Sequence, residues 1–261
     1  MLEPQTTPFP PQQECNKFYK YVKYEDCLKI LSEGTLWFSK PVKFNDPFDC
    51  YPYLPQKGKD KIFNRLNNQF SLDRRVPMRT LRKNLTTMSQ TGTGGIMHHL
   101  VSNNLTVTCF STNHLSAPMW AHYADEHQGC VVEFQLTNEI INKISQTTPS
   151  EPIIVPFHVN YSDKRPPLYD KNGDMYGLDI ALSKSTQWSY EQEVRALSNR
   201  EGIHHFSRYQ ITKVFTGVRI TDINKAKVKN TVLQMNKDLN TRCKLVELSM
   251  AFDSYNFVEL D

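Results

Sequence analysis

The chain has 261 residues, a net charge of +4 and 39% hydrophobic residues, with a mean hydropathy of −0.54. These values favour a soluble globular protein of one large or two small domains, and the sequence contains no apolar run of about 18 residues to predict a membrane span. The mild positive charge permits an anionic ligand such as a nucleotide but does not demand DNA or RNA.

The N-terminal sequence MLEPQTTPFPPQQE, residues 1–14, has neither the basic start nor the apolar stretch of a secretory signal. It predicts a flexible, proline-rich extension. The six cysteines form no CxxC pair, so we expect buried, reduced thiols in a cytoplasmic protein and no structural zinc.

The first half of the chain predicts strand, helix, strand and turn. FYKYV predicts a strand, YEDCLKILSE a helix that ends at Gly34, and TLWFS a second strand. Asn-Asp-Pro within FNDPFD (Phe44 to Asp49) forbids a continuing helix and predicts a turn. A polar helical insertion is expected at about 59–103, within a single α+β domain that covers residues 15–261.

The second half mixes strands and helices without strict βαβ order, which predicts an α+β fold. We expect a strand in LTVTCFS, a helix over PMWAHYADEH, a buried strand in CVVEF and an alternating strand in IIVPFHVNY. A helix is expected from Met175 to Lys184, followed by a strand in WSYEQEVRAL. Strand KVFTGVRI, a long helix with Asp222 as its N-cap, and two short strands complete the chain.

Two glutamates, Glu191 and Glu193, stand one residue apart at the start of the strand predicted for WSYEQEVRAL. Alternating side chains would place both carboxylates on one face of that strand. One carboxylate can then hold a ribose hydroxyl and face the positive charge that develops when nicotinamide leaves, while the other acts as a general base. Two alternatives stay open: both glutamates are solvated, or Glu193 pairs with Arg195.

The segment MWAHYADEHQG combines aromatic and ionisable residues on a predicted helix. On that helix His122 and Glu126 would share a face, but the spacing is not HxxxH or HExxH, so no metal site is predicted. Core packing is the expected role of Trp120. His122 and Tyr123 suit either packing or a sandwich around a nicotinamide or adenine ring.

The polar residues of FNDPFD also allow two interpretations. Asn45, Asp46 and Asp49 suit either ligand hydroxyls or a metal, or a turn whose side chains cap their own backbone. We expect Asn45 and Asp46 to brace a site from beneath. Lys184, shortly before Trp188, is expected to meet either solvent or a phosphate.

The segments YKY, LWFSKPVKFNDPFD, CFS, MWAHYADEHQG and WSYEQEVR occur in this order from Phe18 to Arg195, and Gly217 and Arg219 follow. This set resembles a bacterial family known as a domain of unknown function. More distantly, the layout resembles the ADP-ribosyltransferase fold. Those enzymes open with a strand that carries Arg or His and a helix that ends in glycine, then place Ser or Tyr on a middle strand and Glu on a later one.

The ADP-ribosyltransferase resemblance implies a mainly antiparallel sheet, NAD as the substrate and no metal. It implies that Glu193 is the catalytic carboxylate and that Glu191 activates the acceptor. The residues that would hold the dinucleotide are Lys20, Tyr21, Ser111 (or Ser39), His122 and Tyr123. A structural or substrate-side role falls to Asn45, Asp46, Asp49, Trp120, Trp188 and Arg195. Lys20 departs from the Arg or His that the fold has at this position.

The same resemblance implies a partner set and a biological role. It implies a nucleotide ligand, a protein or nucleic-acid acceptor, a neutralising partner protein and a toxin, effector or antiphage role, with action in the cytoplasm of the producing or a recipient cell. Two other functions stay open: a non-enzymatic module that senses a nucleotide or peptide, and a hydrolase of a nucleotide or nucleic acid.

Overall fold

The computed structural model describes residues 15–53, 105–170, 174 and 176–260. The predicted N-terminal extension (1–14) and helical insertion (59–103) lie outside these residues, and the single-domain organisation stays a prediction. The chain divides into two compact units. The unit that we call the sheet unit comprises Gln12–Phe38, Val107–Val159 and Trp188–Asp261; the second unit comprises Met1–Pro11, Ser39–Thr106 and Asn160–Gln187.

Twelve strands are present among the described residues. They are β1 (Lys17–Val22), β2 (Thr35–Phe38), β3 (Thr106–Ser111), β4 (Cys130–Gln135), β5 (Phe157–His158), β6 (Asn160–Ser162), β7 (Ser183–Ser185), β8 (Glu193–Ser198), β9 (Gly202–His205), β10 (Ile211–Thr216), β11 (Lys244–Met250) and β12 (Phe257–Leu260). The described α-helices are α1 (Tyr24–Glu33), α2 (Ala117–Tyr123), α3 (Asn138–Thr147), α4 (Gly177–Ala181) and α5 (Asp222–Leu239).

The sheet unit is built on one eight-stranded sheet with the strand order β12-β11-β10-β4-β1-β3-β8-β5. Antiparallel pairing joins β1 to both β3 and β4, β4 to β10, β5 to β8 and β11 to β12. Strands β10 and β11 form a parallel pair within this sheet. The predicted α+β class with a mainly antiparallel sheet is therefore confirmed.

The two faces of this sheet carry different side chains, and the alternation of β1 shows the division. Phe18 and Val22 point into a core formed with Cys27, Ile30 and Leu31 of α1 and with Val228, Val232 and Met235 of α5; we call this side the helix face. Tyr19 and Tyr21 point to the other side, where they pack with Met119, Trp120 and Ala124 from α2 and the residues that follow it; we call this side the tyrosine face.

Helix α1 shows how the local sequence produces the core. Cys27, Ile30 and Leu31 recur at helical spacing, and all three are buried. Burial of Ile30 and Leu31 contributes about 1.5–3 kcal/mol for each side chain. The helix ends where Gly34 takes φ 65° and its N–H donates to the Ile30 carbonyl, because glycine adopts this left-handed conformation without a steric penalty.

Several predicted elements differ from the structure. Helix α2 ends at Tyr123 because the backbone turns left-handed just beyond it. IIVPFHVNY forms only β5 and β6, since Pro156 offers no N–H to a neighbouring strand. The helix expected up to Lys184 is limited to α4, and Lys184 lies in β7. Thr221, not Asp222, is the N-cap of α5, since its hydroxyl accepts the Asn224 N–H.

Five of the six cysteines are buried, and Cys109 is partly exposed. Among the residues that the structure describes, no helix combines the length and the apolar character needed to cross a membrane.

Candidate functional site

The segment WSYEQEVR does not form one continuous strand. A 3-10 helix spans Thr186–Glu191, and β8 begins only at Glu193. Between them Gln192 has φ 45°, and its carbonyl accepts the Thr112 N–H at 2.9 Å. The prediction that Glu191 and Glu193 occupy alternate positions of one strand is therefore wrong, because a left-handed residue separates them.

Glu193 forms a buried ion pair with Arg195, two residues further along β8. Arg195 Nε donates to Glu193 Oε1 at 2.8 Å and Nη2 donates to Oε2 at 2.9 Å. The glutamate side chain is 3% exposed and the arginine 0%. A carboxylate this deeply buried stays charged only when a partner compensates it, and the two-pronged geometry is the strongest such arrangement. The solvated alternative is thus wrong, and the Glu193–Arg195 pairing is confirmed.

Glu191 is held by side chains from two other segments. Tyr123 Oη, at the end of α2, donates to Glu191 Oε1 at 2.7 Å. Ser111 Oγ, at the end of β3, donates to the Glu191 main-chain carbonyl at 2.6 Å and accepts the Asn113 N–H at 3.0 Å. The CFS, MWAHYADEHQG and WSYEQEVR segments therefore meet at Glu191, although Ser111 and Tyr123 lie 80 and 68 residues from it along the chain.

A row of polar residues crosses the tyrosine face toward these carboxylates. The strand registers place Lys213 opposite Glu133, Glu133 opposite Tyr19, and Tyr19 opposite Ser111. Because opposite residues of antiparallel strands share a face, the row leads across β10, β4 and β1 to β3, the neighbour of β8. The structure thus places Ser111, and the Glu191 carbonyl to which it donates, at one end of this row.

Glu133 belongs to this row and was missed by the sequence analysis. It is 1% exposed; Thr212 donates to its Oε1 at 2.6 Å, and Lys17 Nζ lies 3.3 Å from its Oε2. Burial by itself would raise the pKa of Glu133, but the Thr212 hydroxyl, the Lys17 ammonium and the Gln135 amide together hold it below its usual value. A charged residue inside the apolar strand CVVEF was the available signal.

Lys20 lies on the opposite side of the sheet from Glu193. It alternates with Tyr19 and Tyr21 and so points to the helix face, whereas Glu193 alternates with the helix-face residue Val194. Its ammonium donates to Thr108 Oγ1 at 3.0 Å and to the Cys109 carbonyl at 2.7 Å. Burial lowers the pKa of Lys20. The structure does not bring Lys20 together with Ser111 and Glu191.

The remaining aromatic candidates of the sheet unit have mixed roles. Trp120 is 1% exposed, donates from Nε1 to the His114 carbonyl at 2.7 Å and meets the Tyr21 ring edge-on at 5.5 Å, so its packing role is confirmed. Tyr21 Oη donates to the Asn113 carbonyl at 2.8 Å, and burial raises its pKa. His122 is exposed, and Trp188 is partly exposed.

Residues 119–196 match the family model described as "Protein of unknown function (DUF2971)". This segment is similar to the DUF2971 family. The predicted resemblance to a family of unknown function is confirmed over these residues. The DUF2971 segment contains Tyr123, Glu191, Glu193 and Arg195, whereas Ser111 lies outside it. No curated protein and no solved structure matches the chain.

The second unit holds Lys184, which lies in the DUF2971 segment, and the candidates from FNDPFD. Asp46 Oδ1 accepts the Phe48 N–H at 2.9 Å, so Asp46 caps its own turn. Asp49 forms an ion pair with Lys184 at 3.6 Å, and both side chains are at most 5% exposed. Two further candidates in this unit, Ser39 and Asn45, are partly exposed and exposed, respectively. Lys184 therefore meets a carboxylate and not solvent.

The hydrogen bond from the Tyr123 hydroxyl to Glu191 leads to a prediction about stability. Replacing Tyr123 with phenylalanine removes the hydroxyl that donates to Glu191 and leaves the ring in place. We expect the free energy of unfolding to fall by about 1.5 kcal/mol, because hydrogen bonds to charged groups are worth more than neutral ones. Urea denaturation measures the change. Tyr255→Phe is the matched control, because that side chain is fully exposed; equal losses in both variants would contradict the role of this bond.

Proposed function

We propose that this protein is an NAD-consuming enzyme of the ADP-ribosyltransferase type. It cleaves the nicotinamide–ribose bond and passes ADP-ribose to a protein or nucleic-acid acceptor, or to water as an NAD glycohydrolase. The observation that supports this proposal is the convergence of two segments at Glu191. Tyr123 donates to its carboxylate and Ser111 donates to its main-chain carbonyl, and Glu193 follows two residues later in the chain.

The carboxylates of Glu193 and Glu191 have different roles in the proposed reaction. As the bond from the ribose C1′ to nicotinamide breaks, nicotinamide leaves with the bonding electron pair and positive charge develops on the ribose. Glu193, which Arg195 holds in a fixed orientation, faces that charge. Glu191 accepts the proton of the acceptor nucleophile as a new bond to C1′ forms. Tyr123 is a neutral donor, so it orients Glu191 without cancelling its charge.

The proposal includes the substrate, the partners and the cellular location that the resemblance to the ADP-ribosyltransferase fold implies. NAD is the substrate, the reaction needs no metal, and the protein works in the cytoplasm of the producing or a recipient cell. A toxin, effector or antiphage role with a neutralising partner protein follows from this type of chemistry.

The test is the release of nicotinamide from NAD by the purified protein, with and without cell extract as a source of acceptor. Wild type is expected to release nicotinamide. Glu191→Gln is expected to lower the rate by about 10²-fold or more, because it removes the base. The glutamine carbonyl still accepts from Tyr123, so the fold is retained. No release by wild type with any extract would refute the proposal.

Glu193 needs a different variant, since its removal alone leaves Arg195 buried without this partner. The double variant Glu193→Gln, Arg195→Met removes both charges, and its melting temperature shows whether it folds. Loss of nicotinamide release in the folded double variant supports the role of Glu193. If the double variant releases nicotinamide at the wild-type rate, the Glu193–Arg195 ion pair contributes to stability alone.

A second candidate function is a non-enzymatic module that binds a nucleotide or peptide. The observation that favours it is the two-pronged compensation of Glu193 by Arg195, which is typical of a structural ion pair. A binding module is expected to melt at a higher temperature with its ligand and to release no nicotinamide.

A further inference from the structure

The residues after α2 adopt an unusual backbone conformation. Asp125, Glu126 and His127 have φ values of 50°, 51° and 72°, so three successive residues other than glycine are left-handed. Such residues persist only where the surrounding structure holds them, and they concentrate at functional sites. We call these three residues the left-handed turn.

Residues of α2 and of the segment that follows β10 hold this turn in place. His127 N–H donates to the Trp120 carbonyl at 3.2 Å, Arg219 N–H donates to the His127 carbonyl at 3.0 Å, and Gly217 N–H donates to the Gly129 carbonyl at 3.0 Å. A Cβ at Gly217 would lie 2.1 Å from the His127 oxygen. The backbone of His127 is therefore fixed on both sides.

The imidazole of His127 has one buried and one outward nitrogen. Its ring meets Phe257 at 5.6 Å, and Nδ1 is buried without a hydrogen-bond partner among the described residues. A proton on Nδ1 would become a buried unsatisfied donor, which is costly. The neutral form with the proton on Nε2 is therefore favoured, and Nε2, which is not among the buried unpartnered atoms, presents an N–H outward.

The charges around this ring favour a neutral donor beside a cation. Burial lowers the pKa of His127, and the positive charge of Arg219 lowers it further. The Arg219 side chain is exposed. Asp125 and Glu126 share the turn, but neither carboxylate is among the charges that shift the pKa of His127.

We propose that His127 and Arg219 form a binding site for a phosphate group of a ligand. His127 donates through Nε2–H, Arg219 supplies the positive charge, and the left-handed turn fixes the donor before the ligand arrives. This site is distinct from the carboxylates at Glu191 and Glu193, and it does not depend on cleavage of NAD.

The first test observes the histidine side chains of the full chain by ¹⁵N NMR during titration with inorganic pyrophosphate. We expect His127 to show the Nε2–H tautomer and its Nε2 resonance to shift saturably with pyrophosphate. Acetate is the parallel probe, and a shift of equal affinity with acetate would assign the site to oxyanions of any kind and overturn phosphate selectivity. An Nδ1–H tautomer, or no saturable shift with pyrophosphate, would overturn the site itself.

The second test compares variants by calorimetric titration with pyrophosphate. His127→Gln keeps an N–H near the Nε2 position and is expected to bind within about threefold of wild type, which is less than 1 kcal/mol. His127→Asn is expected to lose at least tenfold, although asparagine tolerates a left-handed backbone better than most residues. Arg219→Gln is expected to lose at least tenfold, whereas Arg242→Gln, at another exposed arginine, leaves the affinity unchanged. Equal affinity in the two His127 variants refutes the Nε2 donor.

Discussion

Replacing Arg195 with methionine is expected to lower the free energy of unfolding by about 3–5 kcal/mol, one of the two largest losses that we predict for single substitutions. Methionine fills much of the same volume but leaves the Glu193 carboxylate, 3% exposed, without the guanidinium that binds both of its oxygens. A buried carboxylate that loses its compensating charge must bind a proton or recruit water, and either process costs stability. Urea denaturation at neutral pH measures the loss.

Two comparisons make this expectation specific. The double variant Arg195→Met, Glu193→Gln removes both charges and is expected to recover more than half of the loss. Lys225→Met breaks a more exposed ion pair, with Glu247 at 2.9 Å, and is expected to cost less than about 1 kcal/mol. If Arg195→Met lowers the free energy of unfolding by no more than Lys225→Met does, the buried ion pair stabilises the protein no more than an exposed one.

Replacing Gly217 with alanine is the second substitution with a large expected effect. The added Cβ would lie 2.1 Å from the His127 oxygen and 2.7 Å from its carbonyl carbon, and 3.1 Å from the Trp120 ring. The nearest two atoms belong to the backbone of the left-handed turn, so no side-chain rotation relieves the clash. We expect the free energy of unfolding to fall by about 3 kcal/mol, the upper end for overpacking.

The matched control for this substitution is Gly177→Ala in α4. Among the described residues no atom lies within 4 Å of a Cβ added there, and alanine has the higher helix propensity, so a gain of about 0.5–1 kcal/mol is expected. Thermal denaturation of both variants, with the NMR resonances of His127 recorded for Gly217→Ala, tests the pair. An unchanged melting temperature in Gly217→Ala would show that the turn moves aside without cost.

Local elements of this protein follow from local sequence. YEDCLKILSE forms α1 because its apolar residues recur at helical spacing, and Gly34 ends it because glycine accepts a left-handed φ. FYKYV forms β1 because period-two alternation places phenylalanine and valine on one face and tyrosines on the other. These patterns involve neighbours in the chain, so no long-range contact is needed to recognise them.

The ion pair between Glu193 and Arg195 was also within reach of the sequence, because residues two apart in a strand share a face. The position of Glu191 was not. Gln192 takes a left-handed φ, and its carbonyl is bound by Thr112 from the end of β3. No pattern within WSYEQEVR predicts that the strand begins only after Gln192, since the hydrogen bond to the Gln192 carbonyl comes from a distant segment.

The sequence by itself determined the α+β class, most strands and helices and the resemblance to a family of unknown function, and it offered the Glu193–Arg195 pair as one alternative. Only the tertiary structure decided that Ser111 and Tyr123 meet at Glu191, that Lys20 and Glu193 point to opposite faces of the sheet, and that Glu133 lies in one row with Tyr19 and Ser111. The physical reason is the distance along the chain over which each kind of interaction acts. Periodicity and capping act over a few residues, whereas the register of β1, β3 and β4 is set by the packing of the whole sheet.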